Sequence, residues 1–290
     1  MRRAIFEALF VTFLWSTSWV LIKQGLGEIP PFLFAGLRYS LAFLFLLPLL
    51  ARNSLRQELR GLKRADWAWL LVLGLVYYTL TQGAQFLGLS YLPANTLSLL
   101  LTLSGITIAI GGLLFLGEKL SGLQWLGVAV SIAGALIYFG RVEGLSQIGL
   151  WVGLIAVLSN TGGALLGRRI NCSAHISPSM VTLVSMGFGA LLLLGLGLGL
   201  ENFPALGLRE WAIVFWLAAV NTALAFTLWN RSLQKLSAAQ SSVINNTMLI
   251  QIAILAWVFL GERLGALQIA GLSIALFGTI LVQLRPRKAD

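Results

Sequence analysis

Side chains able to hydrogen-bond a small polar molecule recur at helical spacing inside stretches that carry almost no charge. Tyr78, Gln82 and Gln85 stand at i, i+4 and i+7, one face of a helix, and Ser98 with Thr102 repeats that alignment. Ser242 and Asn246 do so again, with Asn245 and Gln251 beside them, while Trp15, Ser16 and Trp19 match a second group at Ser159 and Asn160. With Trp229, these residues describe a recognition surface in which amides and hydroxyls meet a polar end and indoles and a phenol wall an apolar one. Covalent chemistry has no such footing. No nucleophile with its base, no paired carboxylates and no metal-ligand set recurs within the apolar stretches, so neither an enzyme nor a cofactor is expected. Cys172 and His175 share the loop NCSAHISP, but two ligands are too few for zinc and one cysteine cannot form an internal disulfide. The alternative use of the polar residues is structural. Ser and Thr bond back to their own helix, and Asn or Gln can join helices for about 0.6 kcal/mol each.

Ionisable residues inside these stretches are few. No Asp or Glu falls at mid-span, and Glu7 lies in the first turn of the first segment, where snorkelling to the interface accounts for it unless it is a coupling residue. Arg38 lies seven residues into the second segment, about 10 Å deep at 1.5 Å per residue. It either snorkels outward, pairs with a helix C-terminus or meets a substrate carboxylate. Glu118 and Glu262 close two short charged corners that could shape a turn or gate a path.

What must position such residues follows from composition. Hydrophobic residues make up 58% of the chain and charged residues 10%, against about 25% charged in a soluble domain. The 51 residues between Asp66 and Glu118 carry no formal charge, enough for two crossings at about 20 residues each. Helices are required, since lipid offers the backbone no hydrogen bonds. Hydrophobic length and Pro/Gly punctuation give ten segments: 4–24, 31–50, 67–86, 94–116, 121–140, 147–167, 177–199, 209–230, 236–260 and 265–284. Threaded with the N-terminus inside, 15 Lys and Arg fall on one side and 4 on the other, so both termini are expected in the cytoplasm of a cell (inner) membrane. The net charge of +10 is dispersed with no basic groove, so nucleic acid is not an expected partner and the bilayer is.

The corner FLGEKLSGLQWLG at 115–127 returns as FLGERLGALQIAG at 259–271, and nine of 25 positions match across 115–139 and 259–283 at a shift of 144. Each corner has a local use: Ser121 with Gln124 can form a capping box, and Gly265 with Gln268 a weaker one. The shift divides the chain into residues 1–143 and 144–290, each with five segments. Five is odd, so the second half enters the membrane from the opposite side. The expected fold is an all-α integral membrane protein of ten transmembrane helices built as two inverted five-helix repeats, with a central cavity between them. Gly127, Gly134, Gly271 and Gly278 read as close-packing positions in the fifth and tenth segments, which hold few polar side chains and suit a scaffold or a homodimer surface rather than a pathway.

The pattern LWSTSWVLIK in the first segment, Arg38 in the second, and the doubled LGE(K/R)LxxLQxxG corners resemble the EamA family of the drug/metabolite transporter superfamily. That resemblance implies an exporter of amino acids or related small metabolites. Proteins of this kind often carry a proline thirteen residues before each corner Glu. Gly105 and Leu249 stand there instead, which resembles the aromatic amino acid and paraquat exporter branch. The leading reading is a secondary transporter working by alternating access. A phosphorylated-metabolite exchanger would need several cations at the midplane, where Arg38 is one. An integral membrane enzyme and a passive channel are the readings from other classes.

Overall fold

The computed structural model describes residues 2–116, 120–140, 145–172, 176–233, 236 and 238–283, in which the regular secondary structure is helical. The corner around Glu118, the boundary at 143/144, His175 and the last seven residues lie outside the described set, as does the side chain of Ser242. Among the described residues, eight helices are long and apolar enough to cross a membrane: Arg2–Gly25, Pro31–Ala51, Arg64–Tyr91, Ala94–Leu114, Gly122–Phe139, Gln147–Gly167, Pro178–Leu200 and Leu208–Trp229. Two shorter apolar helices follow, Ile244–Leu260 and Ala266–Val282. The eight correspond to the first eight segments expected from sequence, and the two shorter helices to the last two. Their outward faces are apolar, as at Leu114, Trp151 and Leu200, which suits lipid rather than water.

Prolines mark where helices begin. Pro30 caps α2 (Pro31–Leu46), Pro93 caps α6 (Ala94–Thr102), and Pro178 opens α10 (Pro178–Leu200) behind a Ser177 hydroxyl that accepts from the Met180 amide at 3.3 Å. Proline suits these places because the first amides of a helix have no intrahelical acceptor. Pro48, expected inside a continuous second span, instead falls in a 3₁₀ turn, Leu47–Ala51, that finishes it. The lost amide and the clash of its ring with the preceding turn explain the change.

Among the described residues, two spans contain π-helical turns. The third runs as α4 (Arg64–Leu73), a π-helical turn at Gly74–Thr81 and α5 (Gln82–Tyr91). The eighth runs as α11 (Leu208–Ala218), a π-helical turn at Ala219–Leu224 and α12 (Ala225–Leu233). Displaced by 144, these two turns overlap. The fourth span breaks at Leu103 between α6 and α7 (Ser104–Leu116).

Packing joins elements that are 144 residues apart. Helix α8 (Gly122–Phe139) lies along α14 (Ala266–Gln283), and α2 along α10. In the first pair the glycines let backbones touch: a Cβ on Gly127 would stand 2.7 Å from the Gly278 carbonyl oxygen, and one on Gly134 2.6 Å from that of Gly271. The sequence expectation of close packing holds at all four positions. The remaining helices, α1 (Arg2–Gly25), α9 (Gln147–Cys172) and α13 (Ala238–Leu260), pack so that α1 meets α13 while α9 meets α6 and α7.

Carboxylates cap helix starts across long separations. Glu201 accepts from the amides of Phe32 and Leu33 at 3.1 and 2.7 Å, Glu262 from those of Ala94 and Asn95 at 2.7 and 3.1 Å, and the carboxylate of Glu58, on α3 (Asn53–Gly61), from the Ser177 amide and hydroxyl. Free amides and the positive end of the helix dipole make each start an anion site. Both corners carry their local bonds as well: Ser121 N donates to Gln124 Oε1 at 2.9 Å, and Gly265 N to Gln268 Oε1 at 2.8 Å.

Candidate functional site

Two adjoining cavities, about 730 and 560 Å³, open among α1, α2, the third and fourth spans, α9, α10, α12 and α13. Trp19, Tyr77, Leu101, Asn160, Phe226, Trp229, Asn245 and Met248 border both, so the two volumes meet at one shared wall. Tyr78, Ser98, Thr102, Ser104, Thr182, Ser185 and Asn246 add hydroxyls and an amide to the larger. Trp15, Ser18, Arg38, Tyr39, Thr81, Gln82 and Gln85 belong to the smaller. These volumes fall within the range of about 300–1,000 Å³ typical of small-molecule sites.

Most residues expected from sequence converge here: Trp15, Trp19, Tyr78, Gln82, Gln85, Ser98, Thr102, Asn160, Trp229, Asn245 and Asn246 all line one cavity or both, as does Arg38. Their polar groups are partly engaged within the protein. Ser98 and Thr102 donate to the carbonyls of Asn95 and Ser98 on their own helix, at 2.9 and 2.8 Å. Asn160 Nδ2 donates to Ser104 Oγ at 2.9 Å, joining α9 to α7, and the Tyr39 hydroxyl donates to Gln82 Oε1 at 2.6 Å. The aromatic wall is ordered by ring contacts: Trp15 lies 5.4 Å from Phe226 and 5.2 Å from Trp229, and Tyr39 meets Tyr78 edge to face at 5.9 Å.

Other expected positions lie elsewhere. Ser16 is fully buried and lines neither cavity: its hydroxyl donates to the Thr12 carbonyl at 2.8 Å and to Gln251 Oε1 at 2.9 Å, tying α1 to α13. Glu262 caps α6, away from both linings. Glu7 pairs with Arg3 at 2.9 Å and with Arg231 Nε at 3.1 Å, in a separate recess of about 150 Å³. Glu118 and the Ser242 side chain are outside the described residues.

Arg38 departs from the snorkelling and helix-end readings. It is buried, with 5% of its surface exposed, and Nε donates to Thr222 Oγ1 at 3.0 Å. The guanidinium carbon stands 5.2 Å from the centre of the Tyr39 ring and 6.0 Å from that of Phe86, within cation–π reach.

Tyr77, Tyr39, Thr182, Ser185 and Ser104 are cavity residues not singled out from sequence. Tyr77 and Tyr78 both reach the lining because the π-helical turn inserts a residue and shifts the facing of its neighbours by about 100°. Asn221, in the second such turn, donates to the Thr17 and Ser18 hydroxyls at 3.0 and 3.1 Å, fastening the eighth span to α1. Its place on the 144-residue shift, opposite Tyr77, was the available signal.

A model of the EamA-like transporter family matches residues 2–140 and again 147–284. The chain is 31% identical over 122 residues to the uncharacterized transporter YvbV of Bacillus subtilis (strain 168), covering 41% of this chain and 37% of that protein. It is 37% identical over 103 residues to an uncharacterized transporter of Archaeoglobus fulgidus, covering 34% of each. The aligned stretches thus span about a third of those two relatives. The putative permease-like protein YdzE of Bacillus subtilis is 36% identical over 67 residues, 23% of this chain and 86% of that protein. A solved crystal structure shares the fold, with a TM-score of 0.68 over 97% of this chain and 96% of the other, at 17% identity.

Proposed function

The chain belongs to the EamA-like transporter family and is a multi-pass membrane protein, and we propose that it is a secondary transporter that exports amino acids or related small metabolites by alternating access. The observation that carries this reading is the pair of cavities meeting at Trp19, Asn160, Trp229 and Asn245, walled by helices from both stretches that the family model matches. Trp15, Trp19, Tyr78, Phe226 and Trp229 form the apolar wall in this proposal, while Gln82, Gln85, Asn160, Asn245 and Asn246 bond the polar end, with Ser98 and Thr102 at the margin.

Ten crossings in two inverted halves, residues 1–143 and 144–290, are part of the same proposal. Three features support it: α8 with α14 and α2 with α10 pack as pairs 144 residues apart, the π-helical turns overlap on that shift, and carboxylates of one half cap helices of the other. Such construction places a substrate site where the halves meet. Glu262 then acts as an outer fastening, and both termini lie on the cytoplasmic side of the inner membrane. Among the described residues no Asp or Glu lines either cavity, so transport in this reading runs down the substrate gradient without an imposed pH difference. Glu7 would be the exception only if its ion pairs opened.

Counterflow in proteoliposomes preloaded with single amino acids tests the proposal. A transient overshoot of labelled substrate, saturable and dependent on preloading, is expected. Flux that neither saturates nor responds to preloading would indicate a channel, and turnover of lipid or peptide without vectorial movement an enzyme.

A further inference from the structure

Arg38 is a cation at membrane depth whose charge no described residue balances. An arginine stays protonated in a protein, and burying a charge is costly unless it is paired. Here the described residues supply one hydrogen bond, from Nε to Thr222, and two aromatic faces, Tyr39 and Phe86; no ion pair to a described Asp or Glu forms. Thr222 Oγ1 donates onward to the Leu217 carbonyl at 2.8 Å, which leaves its lone pair aimed at Nε and fixes the direction of the guanidinium. With Nε occupied, the two Nη groups bond to no described residue, and Arg38 borders the smaller cavity.

The repeat shows how this corner is specialised. On the 144-residue shift Arg38 corresponds to Thr182, and Thr222 to Tyr78. Both counterparts line the larger cavity. One arm of the pathway therefore carries a fixed positive charge and the other a hydroxyl and a phenol. Among the described lining residues of both cavities Arg38 is the one ionised side chain of either sign.

Resting on the reading of these cavities as the substrate path, we propose that Arg38 is the carboxylate anchor of the site, and that its substrates carry one carboxylate on an apolar or aromatic body. The parallel Nη donors match a carboxylate two to two. Trp15, Trp19, Phe226 and Trp229 receive the body, and an ammonium group on the substrate finds the faces of these rings and the Asn245 amide. A dianionic phosphate would leave one charge unmatched, and a cation lacking a carboxylate meets a like charge.

The test is binding to purified protein in detergent, followed by quenching of tryptophan fluorescence. The probes are 3-phenylpropionate and phenylalanine, which have the carboxylate, and phenylalaninamide and phenethylamine, which lack it. The wild type is expected to bind the first two at least about tenfold more tightly than the last two, a gap of about 1.4 kcal/mol. Arg38→Gln should erase that preference, and Thr222→Val, which frees the guanidinium without removing it, should reduce it several-fold. Thr222→Val keeps the test decisive if Arg38→Gln fails to fold. Equal binding of all four probes by the wild type, binding of none, or a preference that survives both substitutions would overturn the proposal. Carboxylate-selective binding without counterflow would instead leave the anchor standing and remove the transport reading.

Discussion

The α8–α14 pair and the cavity walls use the same 144-residue repeat in opposite ways. Along the pair, repeat-related positions keep the same residue: Gly127 and Gly271 correspond, as do Gly134 and Gly278, and they meet crosswise, Gly127 against Gly278 and Gly134 against Gly271. In the walls they diverge: Arg38 answers to Thr182, Gln82 to Phe226, Gln85 to Trp229 and Leu101 to Asn245. Each glycine of the pair faces backbone of the other helix, so close contact alone holds both members of a facing pair to glycine. A cavity that receives one asymmetric molecule has no such constraint. The π-helical turns remain paired while the side chains of the walls diverge into an arm that carries Arg38 and an arm that carries Thr182 and Tyr78.

The largest effect expected from this contrast is on folding. Gly134→Leu places a Cβ 2.3 Å from the Ala275 amide nitrogen, where neither backbone can yield, and should cost about 3 kcal/mol or more. Thermal unfolding in detergent measures it, with Gly199→Leu as the control, since a Cβ there meets nothing within 4 Å. Similar melting of both variants would remove the scaffold role from α8 and α14.

A smaller effect, on transport alone, is expected in the walls. Asn245 is exposed and borders both cavities, so Asn245→Leu should lower counterflow about tenfold, roughly 1.4 kcal/mol of substrate interaction, with the melting temperature unchanged. Asn160→Leu breaks the bond to Ser104 and should lower both together. If the two variants behave alike, the division between substrate contact and helix joining fails.

The smallest effect concerns the fastenings between halves. Glu262→Gln weakens a carboxylate cap on the Ala94 and Asn95 amides and should lower stability by about 1 kcal/mol. Urea or thermal denaturation reads the change, and no loss would leave the corner to its local bonds with Gln268.

Much of this arrangement was legible because its causes are local or periodic. Apolar length set the spans, Pro30, Pro93 and Pro178 their starts, and the shift of 144 paired the corners and the glycines. Asn160 was legible as a wall residue because an amide in an apolar span turns away from lipid, and Trp15, Trp19 and Trp229 because they share a helix face or a repeat position with polar residues. What escaped depended on partners far away in sequence or on a change of winding. Ser16 fits the polar stripe, but Gln251 takes its hydroxyl. Tyr77 lies in the turn Gly74–Thr81, where π-helical winding changes which neighbours share a face. Arg38 turns inward because Thr222, 184 positions away, holds it there. The caps of Glu58 and Glu201 likewise join elements that no local pattern relates.

The central claim is that two related halves face the membrane in opposite directions, and labelling of the corners tests it most directly. Lys119 and Arg263 are 144 positions apart, and each is changed to Cys singly in a Cys172→Ser background. Intact cells are treated with an impermeant maleimide before and after permeabilisation. Opposed halves predict that the cysteine at 263 reacts from outside at once and that the one at 119 reacts only after the membrane is opened. Labelling of both from outside, or protection of both, would contradict the account.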